Sequence, residues 1–138
     1  MAQAMLKRYG FPHAIHVIHA IGPDFKKQPD CTREDAIDQL SICYAAVLRV
    51  YARDNPKALL RIPPISWGIY AGSFRGQMAE ITAAALRAGF ERMKANDPQL
   101  LRELPPLEGR RCELCLFDPA EAEKYKTALA QLAGNDHV

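Results

Sequence analysis

The stretch Arg61-Ile62-Pro63-Pro64-Ile65-Ser66-Trp67-Gly68-Ile69-Tyr70-Ala71-Gly72-Ser73-Phe74 constrains this chain more than any other. The apolar run Ala58, Leu59, Leu60 and Ile62 reads as a buried strand, and a long helical pattern begins near Gly76. A loop of small residues lies between them. Strand, Gly-containing loop and helix in that order make an anion site, because backbone N–H groups point outward and the helix N-terminus adds partial positive charge. Gly68 and Gly72 accept φ > 0, which lets a ligand approach the main chain closely. Tyr70 and Phe74 add aromatic surface. The arrangement suits phosphate or pyrophosphate of a nucleotide-like molecule. An ordinary strand-to-helix connection also favours Gly and Ser and remains the competing reading.

Elsewhere the pattern predicts alternating strands and helices. Ala2, Met5, Leu6 and Tyr9 suggest a short amphipathic helix, ended by Gly10 and Pro12. Ala14 to Ala20 is a β-branched run with interleaved histidines and reads as a strand, closed by Gly22-Pro23-Asp24. Thr32 is a good N-cap, and Glu34-Asp35 sit in the first turn, where the helix dipole favours acids. Ile37, Leu40, Tyr44, Val47, Leu48 and Tyr51 recur at helix spacing to about Asp54, where Asn55-Pro56 stops them. A strand at 58–63 follows. A second helix is expected over about 76–95, with an Ala-rich face suited to packing on a sheet. A turn of helix is expected around Gln99–Leu104. Cys112 to Phe117 is a strand, and Asp118-Pro119 starts the last helix, with Pro at the favoured first position. The order β-α-β-α-β-α predicts parallel α/β layers in a single domain, 1–138. In a parallel α/β sheet ligands bind outside the carboxyl ends of the strands, where Phe117 and Asp118 also fall.

Charge and cysteine content exclude several classes. The net charge of +2 is small and makes no case for DNA or a membrane surface as a partner. No secretory signal or membrane-length apolar run is visible, so the four cysteines (31, 43, 112, 115) read as reduced thiols in a cytoplasmic protein. Cys112-x-x-Cys115 has redox or zinc spacing, but on a strand the two side chains leave opposite faces. Buried apolar thiols are the better reading. His13, His16 and His19 do not converge from one strand, so no metal site is assigned. No cofactor is assigned. Ser66-Trp67-Gly68 lacks the leading Gly of a nucleophile elbow, so Ser66 reads as a turn residue or a donor to phosphate.

Four segments carry a resemblance in the same order. The loop is similar to the phosphate loop of macro domains, ADP-ribose-binding modules with the pattern Ile-Ser-Thr-Gly-Ile-Phe/Tyr-Gly. The run from Ala14 to Asp24 resembles that family's Val-Ile-His-Thr-Val-Gly-Pro strand and exit. Gln39 to Leu48, with Cys43-Tyr44, resembles its Leu-x-x-Cys-Tyr helix, and Glu113 to Asp118 with Tyr125 resembles its last strand and helix. Trp67 stands where the family has a small hydroxyl residue, and Ala71 where it has Gly. The family's adenine-binding Asp, Asn-Ala-Asn turn and Gly-rich loop have no counterpart before Met5.

The resemblance implies a macro-like three-layer α/β/α fold with a reduced, mainly parallel sheet, lacking the domain's first third. It implies ADP-ribose or a related nucleotide as ligand, held by Ser66, Trp67, Gly68, Ile69, Tyr70, Ala71 and Gly72. Phe117 would stack on adenine and Asp118 would bond a ribose hydroxyl, unless Asp118 simply caps the last helix. Trp67 would either stack on the ligand or wall its pocket, or plug space left by the missing segment. Two alternatives stay open: a hydrolase of ADP-ribosyl or ADP-ribose-phosphate groups, if another segment completes the site, and an interaction protein with a decayed pocket. Exposed sheet edges imply a homo-oligomer or completion by another segment.

Overall fold

The computed structural model describes residues 4–9, 15–54, 59–99 and 112–135. Strands β1 (Ala4–Tyr9) and β2 (Ile15–Ala20) come first, then a 3-10 turn at Phe25–Lys27 and helix α1 (Arg33–Asp54). Strand β3 (Leu60–Ile62), a 3-10 segment (Gly68–Gln77) and helix α2 (Met78–Asn96) follow. Strand β4 (Cys112–Leu114) and helix α3 (Pro119–Asn135) complete the order. The chain has the mixed α/β fold that its pattern implies. The pairing is particular. β1 and β2 are antiparallel, in register from Ala4↔Ala20 to Tyr9↔Ile15, and β3 and β4 are parallel. Among the described residues the four strands form two separate pairs.

β1 corrects the expected N-terminal helix. Met5, Leu6 and Tyr9 fit helical spacing, but a segment this short cannot offset the cost of helix nucleation. Pairing with β2 satisfies its backbone instead, and that non-local partner is invisible in a local pattern. The turn expected at Gln99–Leu104 lies almost wholly outside the described residues, and His13 lies outside them.

α1 starts as its sequence dictates. The Asp35 N–H donates to Thr32 Oγ1 at 3.1 Å, and the Thr32 N–H donates to Asp35 Oδ2 at 3.3 Å. This reciprocal capping box satisfies two N–H groups that a helix start otherwise leaves open. The buried face of α1 (Ala36, Leu40, Tyr44, Val47) joins Met78, Ile81 and Ala85 of α2 and Tyr125 of α3 in one core. The Ala-rich face of α2 was expected against a sheet, but its main neighbours are the helices α1 and α3. Gly89 marks the closest approach. A Cβ there would lie 2.9 Å from the Ser41 carbonyl oxygen and 3.0 Å from Tyr44 Cβ. Across the same interface Arg92 donates to the buried Ser41 hydroxyl at 2.8 Å and pairs with Asp38.

All four cysteines are free thiols. Cys43 is buried, its Sγ donates to the Ile21 carbonyl at 3.4 Å, and burial pushes its thiol pKa up. Cys112 and Cys115 correct the expectation of buried thiols, since both are exposed. β4 is only three residues long and ends before Cys115, so only Cys112 lies on it. The Cys115 N–H still donates to the Ile62 carbonyl, at 2.9 Å.

Candidate functional site

β3 and β4 run parallel, so the chain leaves both at the same end of the sheet. The exit of β2 joins them there. A Cβ on Gly22 would stand 2.3 Å from Ile65 Cγ2, and the Pro23 carbonyl accepts the Ser66 hydroxyl at 2.5 Å. The three strand exits thus bring together Ile21–Asp24, the loop that follows Ile62, and Cys115–Asp118. Carboxyl ends of parallel strands are where open α/β sheets hold ligands.

The loop is shaped residue by residue. The Ile65 N–H donates to the Tyr44 hydroxyl at 2.9 Å. Ser66 has φ 61°, a left-handed conformation that disfavours a residue with a Cβ. Its hydroxyl proton is committed to Pro23, so Ser66 acts as a turn residue and not as a free donor to phosphate. Trp67 has extended backbone (φ −79°, ψ 162°) and precedes the segment Gly68–Gln77 without a side-chain cap. It is 41% exposed and is no buried plug. Gly68 has φ 73°, and nothing lies within 4 Å of where its Cβ would stand. The start of the 3-10 segment therefore carries uncapped N–H groups beside open space.

Farther along, Ile69 and Tyr70 are exposed, whereas Ala71 and Phe74 are buried and anchor the segment. Gly72 interrupts the 3-10 conformation with φ 57° and ψ −130°. A Cβ there would come within 2.8 Å of the Phe25 carbonyl carbon and oxygen. The close approach that its sequence suggests is made by the chain's own backbone and not by a ligand. Phe25 and Phe74 meet edge to face, with centroids 5.4 Å apart.

Phe117 is 94% exposed after β4. Asp118 Oδ1 accepts the Ala120 N–H at 2.9 Å, so this carboxylate caps α3. On these exit segments Ile21, Trp67, Ile69, Tyr70 and Phe117 are exposed large apolar or aromatic side chains, and Cys115 and Asp118 are exposed with them. A separate groove of about 320 Å³ between α2 and α3 is lined by Glu80, Glu123, Lys124 and Thr127. It contains no residue of the strand exits, and the chemistry of an anion site lies with the loop. Gly22, Pro23 and Tyr44 escaped sequence reasoning as loop-shaping residues. Gly22-Pro23 and Cys43-Tyr44 were visible as motifs, but nothing local showed that they touch residues 65 and 66.

Comparison with known proteins agrees with this geometry. The Macro domain family model matches residues 2–82, more than half of the chain, and that stretch contains the whole loop. A polyprotein of Sindbis virus, subtype Ockelbo, is 34% identical over 84 residues, which is 61% of this chain and 3% of the polyprotein. The solved structure of a mutant macrodomain from Oceanobacillus iheyensis superposes with a TM-score of 0.62 at 20% identity. That match covers 96% of this chain and 60% of the other, so the chain spans less than two thirds of either relative. With the strand exits, the loop that carries Gly68 and Gly72, and the family match in agreement, the chain belongs to the macro domain family.

Proposed function

We propose that this protein is a binding module for ADP-ribose or a related phosphate-containing nucleotide, which it holds through residues 66–74. Macro domains generally bind ADP-ribose. One observation carries the reading to this chain: the uncapped start of Gly68–Gln77 faces open space at Gly68. Main-chain N–H groups there would receive a diphosphate, as helix starts commonly do. Trp67, Tyr70 and Phe117 offer faces for stacking a base. Four free thiols fit a reducing, cytosolic setting. No helix among the described residues is long and apolar enough to cross a membrane.

Calorimetric titration with ADP-ribose tests the reading. Wild type should bind, and Gly68→Val should weaken binding at least about tenfold, or 1.4 kcal/mol, by blocking both φ > 0 and the open approach. Trp67→Thr reports how Trp67 acts: tighter binding marks an obstacle and weaker binding a stacking surface. Wild type with no affinity at millimolar ADP-ribose, together with no gain in Trp67→Thr, would sink the proposal.

A second element of the proposal is association, with a second copy or another segment. Met5, Ile21, Leu59, Ile69 and Phe117 are exposed, and the sheet is split into two pairs. Exposed apolar surface and unpaired strand edges favour contact with another chain. Light scattering at micromolar concentration should report a species heavier than one chain, and a stable monomer would remove this claim.

A further inference from the structure

We infer that Tyr44 is a positioning residue for the ligand loop: its buried phenol oxygen holds the Ile65 amide and thereby sets the left-handed turn at Ser66 that aims the open N–H groups after Trp67. The inference rests on the ligand reading above and names the residue that makes the loop competent. Tyr44 is fully buried on α1, far from solvent, yet its hydroxyl reaches the first residue of the loop at 2.9 Å. Ser66 follows at φ 61°. Such a conformation persists only where its surroundings over-determine it. Here two restraints flank it: the Tyr44 bond to Ile65 on one side, and the Ser66 hydroxyl bond to Pro23 on the other. Gly22, tight against Ile65 and Ser66, closes the third side.

The surroundings of the phenol separate this role from simple packing. Thr82 and Tyr125 are buried beside it. The Thr82 hydroxyl sits close enough to both phenols to favour their charged forms, although neither Thr82 Oγ1 nor the Tyr125 hydroxyl completes a hydrogen bond of full geometry. Burial pushes the Tyr44 pKa well above the usual phenol range, so the group stays neutral at physiological pH. Of the three hydroxyls, the Tyr44 oxygen alone takes a proton from the loop backbone. Thr82→Val therefore alters the same cluster without touching the loop.

The test compares the 138-residue wild type, Tyr44→Phe and Thr82→Val, by NMR amide exchange and by ADP-ribose titration. Tyr44→Phe keeps the ring and deletes only the hydroxyl, and with it the acceptor for the Ile65 N–H. Loss of one hydrogen bond should speed exchange at Ile65 about tenfold, with faster exchange at Trp67 and Gly68 and several-fold weaker ADP-ribose binding. Thr82→Val should leave loop exchange and affinity within about twofold of wild type, since it removes no bond to the loop. The inference is overturned if Tyr44→Phe leaves exchange at 65–68 unchanged, or if Thr82→Val reproduces its effect. Absence of ADP-ribose binding in wild type would refute the ligand reading, while the exchange data would still decide whether Tyr44 positions the loop.

Discussion

Replacing Gly72 by alanine should lower the unfolding midpoint by roughly 10 °C, because about 3 kcal/mol is lost and each kcal/mol shifts a chain of this size by about 3–4 °C. Two effects act in the same direction. A non-glycine residue at φ 57° and ψ −130° is strained by about 1–3 kcal/mol. The added methyl also meets the Phe25 carbonyl at 2.8 Å, a clash with backbone that no rotamer change relieves. Overpacking of that kind costs about 1–3 kcal/mol. The opposing gain from a stiffer unfolded chain is smaller, about 0.4–1 kcal/mol. Gly68→Ala is the control. It carries a similar positive φ but open space, so it should lose only the strain, about 1–2 kcal/mol. Thermal unfolding of both variants decides the matter. Equal losses would show that the contact with Phe25 contributes nothing.

Phe25→Ala is the second large effect, at about 3–5 kcal/mol. Phe25 is 2% exposed and packs edge to face on Phe74. Its removal opens a cavity between the 3-10 turn after β2 and the 3-10 segment of the ligand loop. The ring also contributes a specific aromatic term of about 0.5–1.5 kcal/mol with Phe74. A double-mutant cycle with Phe74→Leu, followed by urea unfolding, isolates that term. A Phe25→Ala loss below about 1 kcal/mol would mean that the site collapses without a void, and that the ring does not brace the loop.

Both predictions concern contacts between segments distant in sequence, and there local reading ran out. α1 was legible because its signals are local: the Thr32 cap, the acids of the first turn and the apolar spacing all lie within the helix. The last helix was legible for the same reason, through Asp118-Pro119 and the Ala120 N–H bond that Asp118 accepts. β1 was not legible, because six residues carry too little periodicity to separate strand from helix and their partner is another strand.

The loop divides along the same line. Residue type alone makes positive φ cheap at Gly68 and Gly72, since glycine lacks the Cβ that disfavours it elsewhere. Which of the two glycines faces solvent, and which rests on Phe25, depends on where the 3-10 turn after β2 packs, and only the tertiary structure decides that. Ser66 shows the converse. Its sequence neighbours left it as a turn residue or a donor to phosphate, and the carbonyl of Pro23, 43 residues away, decides for the turn by accepting its hydroxyl hydrogen bond and holding a conformation that serine would otherwise avoid. Residue type sets which backbone conformations are cheap. Packing between distant segments sets which of them the chain adopts.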